Sequence, residues 1–368
     1  MAKSIMQSDV RMMNRRLVFD LFRRRGTLTR ADISAATGMS APSAQKVTQD
    51  LLAGGIIREQ GELSTALGRK PMAYRFNRDA ISAFGVEFEG QRLSMGLTRI
   101  DGEVVYHTGK SIAPRFDDRL ADAMIDCWQR VMRHAGGAGR IAGIGMGIPG
   151  VVDRQARRIE FAPLIGVEKP LDTTPVLHRI AQATGLPVLI ENDVNCAAMG
   201  EWRERGGPPG DLIYLSLGTG LGAGVILDGA LRRGGRNLCG EFGYTLGAGA
   251  AGADRAQSGW LERRLNLDGL VARYNWRPGD APPGGMAAEV AAELAPYLAN
   301  ILTFLDVDTV ALGGVLTDAL GRPFAEALSA MVNGMTVSGA QISAHRSRQP
   351  GIAGAAALAI EHWMDALL

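Results

Sequence analysis

Two groups of side chains in this 368-residue chain have the types and spacing to do chemistry. The first is Glu191-Asn192-Asp193-Val194-Asn195, directly behind the strand-like Leu186-Pro187-Val188-Leu189-Ile190. Carboxylate and amide groups at the mouth of a strand, ahead of a helical stretch over residues 196–202, are placed to hydrogen-bond the hydroxyls of a small polar ligand. The same residues also fit an Asx-rich helix cap. The second group is basic and polar. Ser43, Gln45, Lys46 and Gln49 follow Ser40 at helical spacing, and Arg69 and Lys70 stand beside Gly68 and Pro71. Such side chains pair with base edges and phosphates.

The elements that must position the second group can be read from residues 10–77. Leu17, Val18, Leu21 and Phe22 mark one face of a helix over residues 10–25, with Arg15, Arg16, Arg23, Arg24 and Arg25 around the rest. Gly26 ends it, Thr29 caps a short helix over residues 30–36, and Gly38 supplies a tight turn. Ser40 then caps a third helix over residues 41–53, with Pro42 in its first turn and Ala44, Val47, Leu51 and Leu52 as the inward stripe. Two short helices joined by a glycine turn form the geometry that lays the second in a major groove. Strands over 56–60 and 72–76 flank the loop that ends in Arg69 and Lys70, a wing that reaches phosphates or a minor groove. The bland alternative is a helical dimerisation module whose arginines are a solvated face.

The first group sits in a body that repeats itself. A strand over 84–88, a strand over 93–98, the turn Asp101-Gly102 and a strand over 103–106 recur as strands over 212–217 and 223–227, the turn Asp228-Gly229 and a strand over 230–232. Each copy is followed by alternating helices and strands, which predicts two similar α/β lobes with a cleft between them. Between the copies, Ile141-Ala142-Gly143-Ile144-Gly145-Met146-Gly147-Ile148-Pro149-Gly150 reads as a buried strand ending in a glycine-rich loop.

Composition agrees with this division. The net charge of +2 conceals a first 80 residues with 14 Lys and Arg against 7 Asp and Glu, and a remainder with 26 against 31. A basic head on an acidic body suggests an anionic partner at one end only. Glycine is 48 of 368 residues, about 13 % and roughly twice ordinary usage. The three cysteines, Cys127, Cys196 and Cys239, are too few and too scattered for a disulfide framework. With no apolar run approaching 18 residues and no signal-peptide pattern, a cytoplasmic protein without a membrane partner is expected.

The ordered set of motifs resembles the ROK family (repressors, open reading frames, kinases). It comprises the winged helix, the tandem meanders, Gly147-Ile148-Pro149-Gly150, Glu191-Asn192-Asp193-Val194-Asn195, Gly218-Thr219-Gly220-Leu221-Gly222-Ala223-Gly224, Gly240-Glu241-Phe242-Gly243-Tyr244 and the C-terminal Gly351-Ile352-Ala353-Gly354-Ala355-Ala356-Ala357. The resemblance covers nearly the whole chain. It implies an α/β fold with an N-terminal winged helix-turn-helix over 1–77 and a two-lobed, actin-like domain of sugar-kinase and RNase H-like type over 83–368. The smaller lobe would run over about 83–193 plus the C-terminal helix, and the larger over about 194–350.

By that resemblance, Asn192, Asp193, Glu241, Tyr244 and Glu262 fall on sugar-contacting positions, with Asp193 also matching the family's catalytic base. Pro163-Leu164-Ile165 stands where many members have Pro-Asn-Leu, so one sugar contact is lost. A kinase of this fold cradles phosphates in a glycine-rich hairpin of each lobe. The second hairpin, residues 218–224, is intact. In place of the Asp and Gly-Gly-Thr of the first, this chain has Glu87-Phe88-Glu89-Gly90-Gln91-Arg92, so Phe88 and Glu89 are expected to put bulk and negative charge where a phosphate would approach. The family's structural zinc loses all four ligands, whose places fall on Tyr244, Ala253, Arg255 and Trp260.

These departures point to a bacterial regulator without kinase activity, nucleotide site or metal. It would bind double-stranded operator DNA as a homodimer or homotetramer through Ser40, Ser43, Gln45, Lys46, Gln49, Arg69 and Lys70, and a small carbohydrate would control it. Two alternatives stay open: a sugar kinase with an accessory head, and a DNA-binding protein that answers to no effector.

Overall fold

The computed structural model describes residues 7–62, 71–89, 91–113, 115–135, 139–207, 210–247, 250 and 259–367. Arg69, Lys70, Ala253 and Arg255 lie outside the described residues.

Helix α1 (Gln7–Arg25) ends at Gly26, whose φ of 75° is left-handed. Strand β1 (Thr27–Thr29) leads into α2 (Arg30–Thr37), where Thr29 and Asp32 form a reciprocal capping box. Gly38 closes α2 in the left-handed region, and α3 (Ala41–Ala53) follows over the span expected. Strands β2 (Ile57–Glu62) and β3 (Met72–Phe76) form the wing hairpin, with β1 added on β3. Val18, Phe22, Ile33, Ala44, Val47 and Leu51 make the core of this head.

The smaller lobe begins with β4 (Ser82–Glu89), β5 (Arg92–Arg99) and β6 (Val104–Ser111), followed by α4 (Asp118–His134) and β7 (Ile141–Ile148). A small sheet of β8 (Val151–Asp153), β9 (Arg158–Phe161) and β10 (Leu171–Asp172) precedes α5 (Thr174–Thr184) and β11 (Val188–Asn192). The main sheet has the order β11-β7-β4-β5-β6, antiparallel across the meander and parallel beyond it.

Helix α6 (Asp193–Glu204) crosses to the larger lobe, which opens with β12 (Leu212–Leu217), β13 (Leu221–Leu227) and β14 (Ala230–Arg232). Helices α7 (Trp260–Leu265), α8 (Leu267–Tyr274) and α9 (Met286–Leu305) follow, then β15 (Thr309–Gly313), α10 (Val315–Met335), β16 (Gln341–Ala344) and α11 (Pro350–Leu367). Its sheet, β14-β13-β12-β15-β16, repeats the directions of the first. The duplicated meander is therefore two copies of one sheet, the two-lobed actin-like arrangement. Helix α9 is long and apolar enough to span a bilayer by composition alone, but Val290, Leu294 and Leu298 lie in the larger lobe's core.

Two expectations change here. Leu52 is only partly buried, and Thr48 takes its place in the α3 stripe, satisfying its hydroxyl on the Ala44 carbonyl at 2.7 Å. The arginines of α1 are not simply a solvated face. Arg15 is 3 % exposed and pairs with Asp50 of α3 at 2.5 Å, Arg16 reaches Asp365 of α11 at 2.6 Å, and Arg23 donates to the Arg203 carbonyl at 3.0 Å. Burial lowers the pKa of Arg23, and the nearby Arg203 lowers it further. The head also shares an apolar core with the body, since Ala356, Ala359, Ile360 and Met364 of α11 join Phe19, Phe76 and Ile81.

Candidate functional site

Strand β11 delivers Glu191 and Asn192 at its end, and the chain turns at once into α6, three residues earlier than expected. Asn192 is the cap. Its Oδ1 accepts the Asn195 N–H at 2.8 Å, and its Nδ2 donates to the Gly150 carbonyl at 3.0 Å and to Asp193 Oδ1 at 3.2 Å. The helix-cap reading of this segment holds at Asn192, whose amide is engaged within the chain. Asn192 caps the helix, and by doing so it fixes Asp193 on the first turn. Asp193 Oδ1 also accepts the Val194 N–H at 2.9 Å. Gly147 of β7 backs this turn closely, for a Cβ there would stand 3.1 Å from the Asp193 Cα.

From the larger lobe come Glu241, Tyr244 and Glu262. Glu241 and Tyr244 bracket the short 3-10 turn Phe242–Tyr244 after β14, and Glu262 lies on α7. Glu262 Oε2 accepts the Leu221 N–H at 2.9 Å, which ties α7 to the glycine hairpin. Glu241 and Tyr244 feel their acidic neighbours. Burial pushes the Glu241 carboxyl up to about 7, with the charges of Glu262 and Asp193 adding to the effect. Burial also raises Glu262, opposed by the Leu221 N–H and Arg263, and it raises the Tyr244 phenol, reinforced by Glu262 and Glu241. The structure therefore gathers Asp193, Glu241, Tyr244 and Glu262 from both lobes into one half-buried acidic cleft. Its hydroxyl-binding capacity is mostly acceptor.

Two nearby features escaped the sequence. Glu191 is 1 % exposed and is held by Arg233 at 2.7 Å and Arg154 at 3.5 Å, so its charge is compensated below the cleft rather than offered to a ligand. Neither arginine lies within thirty residues of Glu191, and no local pattern pairs them. Leu164 is 43 % exposed and reaches across to the hairpin, where a Cβ on Gly220 would meet its Cδ1 at 3.5 Å and Glu262 Oε2 at 3.3 Å. An apolar side chain forms that part of the rim.

The nucleotide side differs from expectation. Phe88 is buried with Phe84 and Val86 in the smaller lobe's core, because alternate residues of β4 face the same way. Its bulk does not enter the hairpin. Glu87 points to the other face, against Gly351 of α11, while Gly90 lies outside the described residues. In the second hairpin, the Gly218 N–H donates to the Gly220 carbonyl at 2.9 Å and the Leu221 N–H to Glu262, so two of its amides are already satisfied within the chain.

The family's zinc does not fit the residues present. Tyr244 and Trp260 are the described members of that set; the indole of Trp260 packs 6.3 Å from the Tyr297 ring and lies under the Arg264 guanidinium. Neither residue offers an ordinary zinc donor.

The residues expected to face DNA are divided. Gln45, Lys46, Gln49 and Ser40 are exposed on one side of α3, and Ser43 is half-buried. Ser40 makes no side-chain cap; its hydroxyl instead meets that of Ser43 at 3.0 Å. The side of α3 that bears Asp50 is turned to α1 by Arg11 and Arg15.

Comparisons place this geometry among known proteins. A xylose repressor of Caldicellulosiruptor bescii is 29 % identical over 239 residues, which cover 64 % of this chain and 59 % of that protein, so the match spans less than two thirds of the repressor's length. A glucokinase of Streptomyces coelicolor is also 29 % identical, over 64 % of this chain and 82 % of its own. A crystal structure of a ROK family transcriptional regulator, a homolog of the E. coli MLC protein, superposes on 97 % of this chain and 98 % of its own with a TM-score of 0.77. At 19 % identity that likeness speaks for the fold alone. Residues 83–259 match the ROK family model, and the chain carries a ROK family domain.

Proposed function

We propose that this chain is a cytoplasmic, sugar-responsive transcriptional repressor. Residues 1–77 serve as its DNA-binding domain, and residues 83–368 form a carbohydrate-binding body that transfers no phosphate. The observation that carries the reading is the polar face of α3, where Gln45, Lys46 and Gln49 are exposed on a helix whose other side is locked into the head. Laid in a major groove, Gln45 and Gln49 read base edges while Lys46, with Arg69 and Lys70 on the wing, neutralises phosphate.

In the body, Asp193, Glu241, Glu262 and Tyr244 accept hydrogen bonds from sugar hydroxyls, and Asn192 holds Asp193 in place. A sugar alters DNA affinity only by binding two arrangements of the chain unequally. Two heads related by symmetry fit a palindromic operator with half-sites about one helical turn apart or a multiple of it. The test is selection of duplexes from a random pool by the full-length protein. The expected winner is a palindrome whose affinity falls steeply with salt; enrichment of no sequence, or salt-independent binding, contradicts the reading.

A second reading is favoured by the glucokinase relative: Asp193 as the base of a sugar kinase. It requires sugar-dependent release of ADP that Asp193→Asn abolishes. ATP incubated with sugar and protein without ADP release removes it.

A further inference from the structure

Helix α6 has one end in the cleft and the other against the DNA-binding head. Its N-terminus carries the Asn192 cap and Asp193. In its last turn, ten residues on from Asp193 and about 15 Å along the axis, the Arg203 carbonyl accepts Arg23 Nη1 of α1 at 3.0 Å. The Arg203 side chain pairs with Glu361 of α11 at 2.6 Å, and one turn further along α11 Asp365 pairs with Arg16 of α1. Arg23 Nη2 is buried beside Gly207 with no hydrogen-bond partner among the described residues. The guanidinium is therefore incompletely satisfied in this arrangement, and a small shift of the α6 terminus changes what it can reach.

The helix has little freedom to absorb movement along its length. A Cβ on Gly354 of α11 would overlap the Cys196 carbonyl oxygen, and one on Gly200 would overlap the Pro350 carbonyl oxygen, so the α6 and α11 backbones touch without side chains between them. On the larger-lobe side, a Cβ on Gly224 of β13 would stand 2.8 Å from the Val194 carbonyl oxygen. On the smaller-lobe side, Gly147 abuts Asp193. A close-packed helix wedged between two lobes transmits displacement rather than damping it.

We propose that α6 is the lever between effector and operator, and that Arg23 is the positioning residue through which the head feels it. Closure of the lobes on a sugar at Asp193 moves α6 relative to one lobe, and the Arg23–Arg203 contact passes that movement to α1, which carries α3 through the Arg15–Asp50 pair. This rests on the repressor reading above.

The experiment uses the full-length protein, a duplex selected by it from a random pool, and D-xylose and D-glucose as probes. Expected for the wild type is a loss of duplex affinity of about tenfold with one of the two sugars. Arg23→Ala is expected to keep its sugar-induced thermal shift and its sugar-free affinity, while the sugar effect falls to within about twofold of none. A variant that retains the full effect overturns the lever. Hydrogen exchange on the wild type decides the matter should Arg23→Ala not fold: the sugar is expected to change protection in residues 20–25 and 201–207, and an altered affinity with both segments unmoved overturns the lever. A wild type whose affinity ignores both sugars overturns the repressor reading itself, and the lever with it.

Discussion

The carboxylate of Glu262 accepts the backbone N–H of Leu221 at 2.9 Å, joining a half-buried side chain on α7 to the glycine hairpin between β12 and β13. One carboxylate oxygen, Oε2, thus holds the hairpin. In a phosphate-cradling loop that N–H would be available to an anion. Here it is already used, and the hairpin's glycines serve close packing, Gly220 against Glu262 and Gly222 and Gly224 against Val194 and Ala198 of α6.

Replacing Glu262 separates the two roles. Glu262→Gln keeps an acceptor for Leu221 and is expected to shift the melting temperature little. Glu262→Ala leaves the Leu221 N–H without its partner, at a cost of about 1–3 kcal/mol. Both are expected to lose stabilisation by sugar, read by thermal melts with and without ligand.

Stability is expected to fall as pH rises across the range set by Glu241. Its carboxyl is pushed up from 4.5 to about 7, so the folded state holds a proton that the unfolded state has released. The contribution is complete below 4.5 and is lost as pH passes 7, amounting to at most about 3 kcal/mol. Glu241→Gln, which copies the neutral acid, should flatten this part of the curve in denaturant melts across that range. An unchanged slope would contradict the assignment to Glu241.

On the recognition helix, Lys46→Ala should weaken binding to all duplexes alike and reduce the slope of log affinity against log salt by about one. Gln45→Ala and Gln49→Ala should instead relax discrimination at single base pairs, by about 1–3 kcal/mol each. Competition binding at several salt concentrations separates the two classes.

Arg15→Ala should destabilise the head without touching a DNA-facing residue. The loss is expected near 3 kcal/mol, the lower end for breaking a buried pair, because Arg11 still reaches Asp50 at 3.2 Å. Hydrogen exchange in α1 and α3 reads it locally.

Much of the fold was legible because its signals are local. The Ser40-Ala41-Pro42 start and the spacing of Ala44, Val47 and Leu51 gave α3 its span, and the two Asp-Gly turns announced the paired meanders. Phe88 could have been placed by the same kind of rule: with Phe84 and Val86 it sits at every second residue of β4, hence on the core face. Other features depend on contacts distant in sequence. Nothing near Arg15 says that it meets Asp50 rather than solvent or DNA, and nothing near Ile360 or Met364 says that the last helix completes the head's core. At the site, residue types singled out Asp193, and only the family resemblance pointed to Glu241 and Glu262; the burial that raises Glu241, reinforced by Glu262 and Asp193, depends on contacts distant in sequence.

The most direct test of a sugar-controlled, non-phosphorylating repressor is a titration of the full-length protein on its selected duplex, at fixed salt, against a panel of pentoses and hexoses with ATP present. The account predicts that one sugar lowers duplex affinity about tenfold while no ADP is formed. Affinity indifferent to every sugar, or ADP formed in step with sugar, would contradict it.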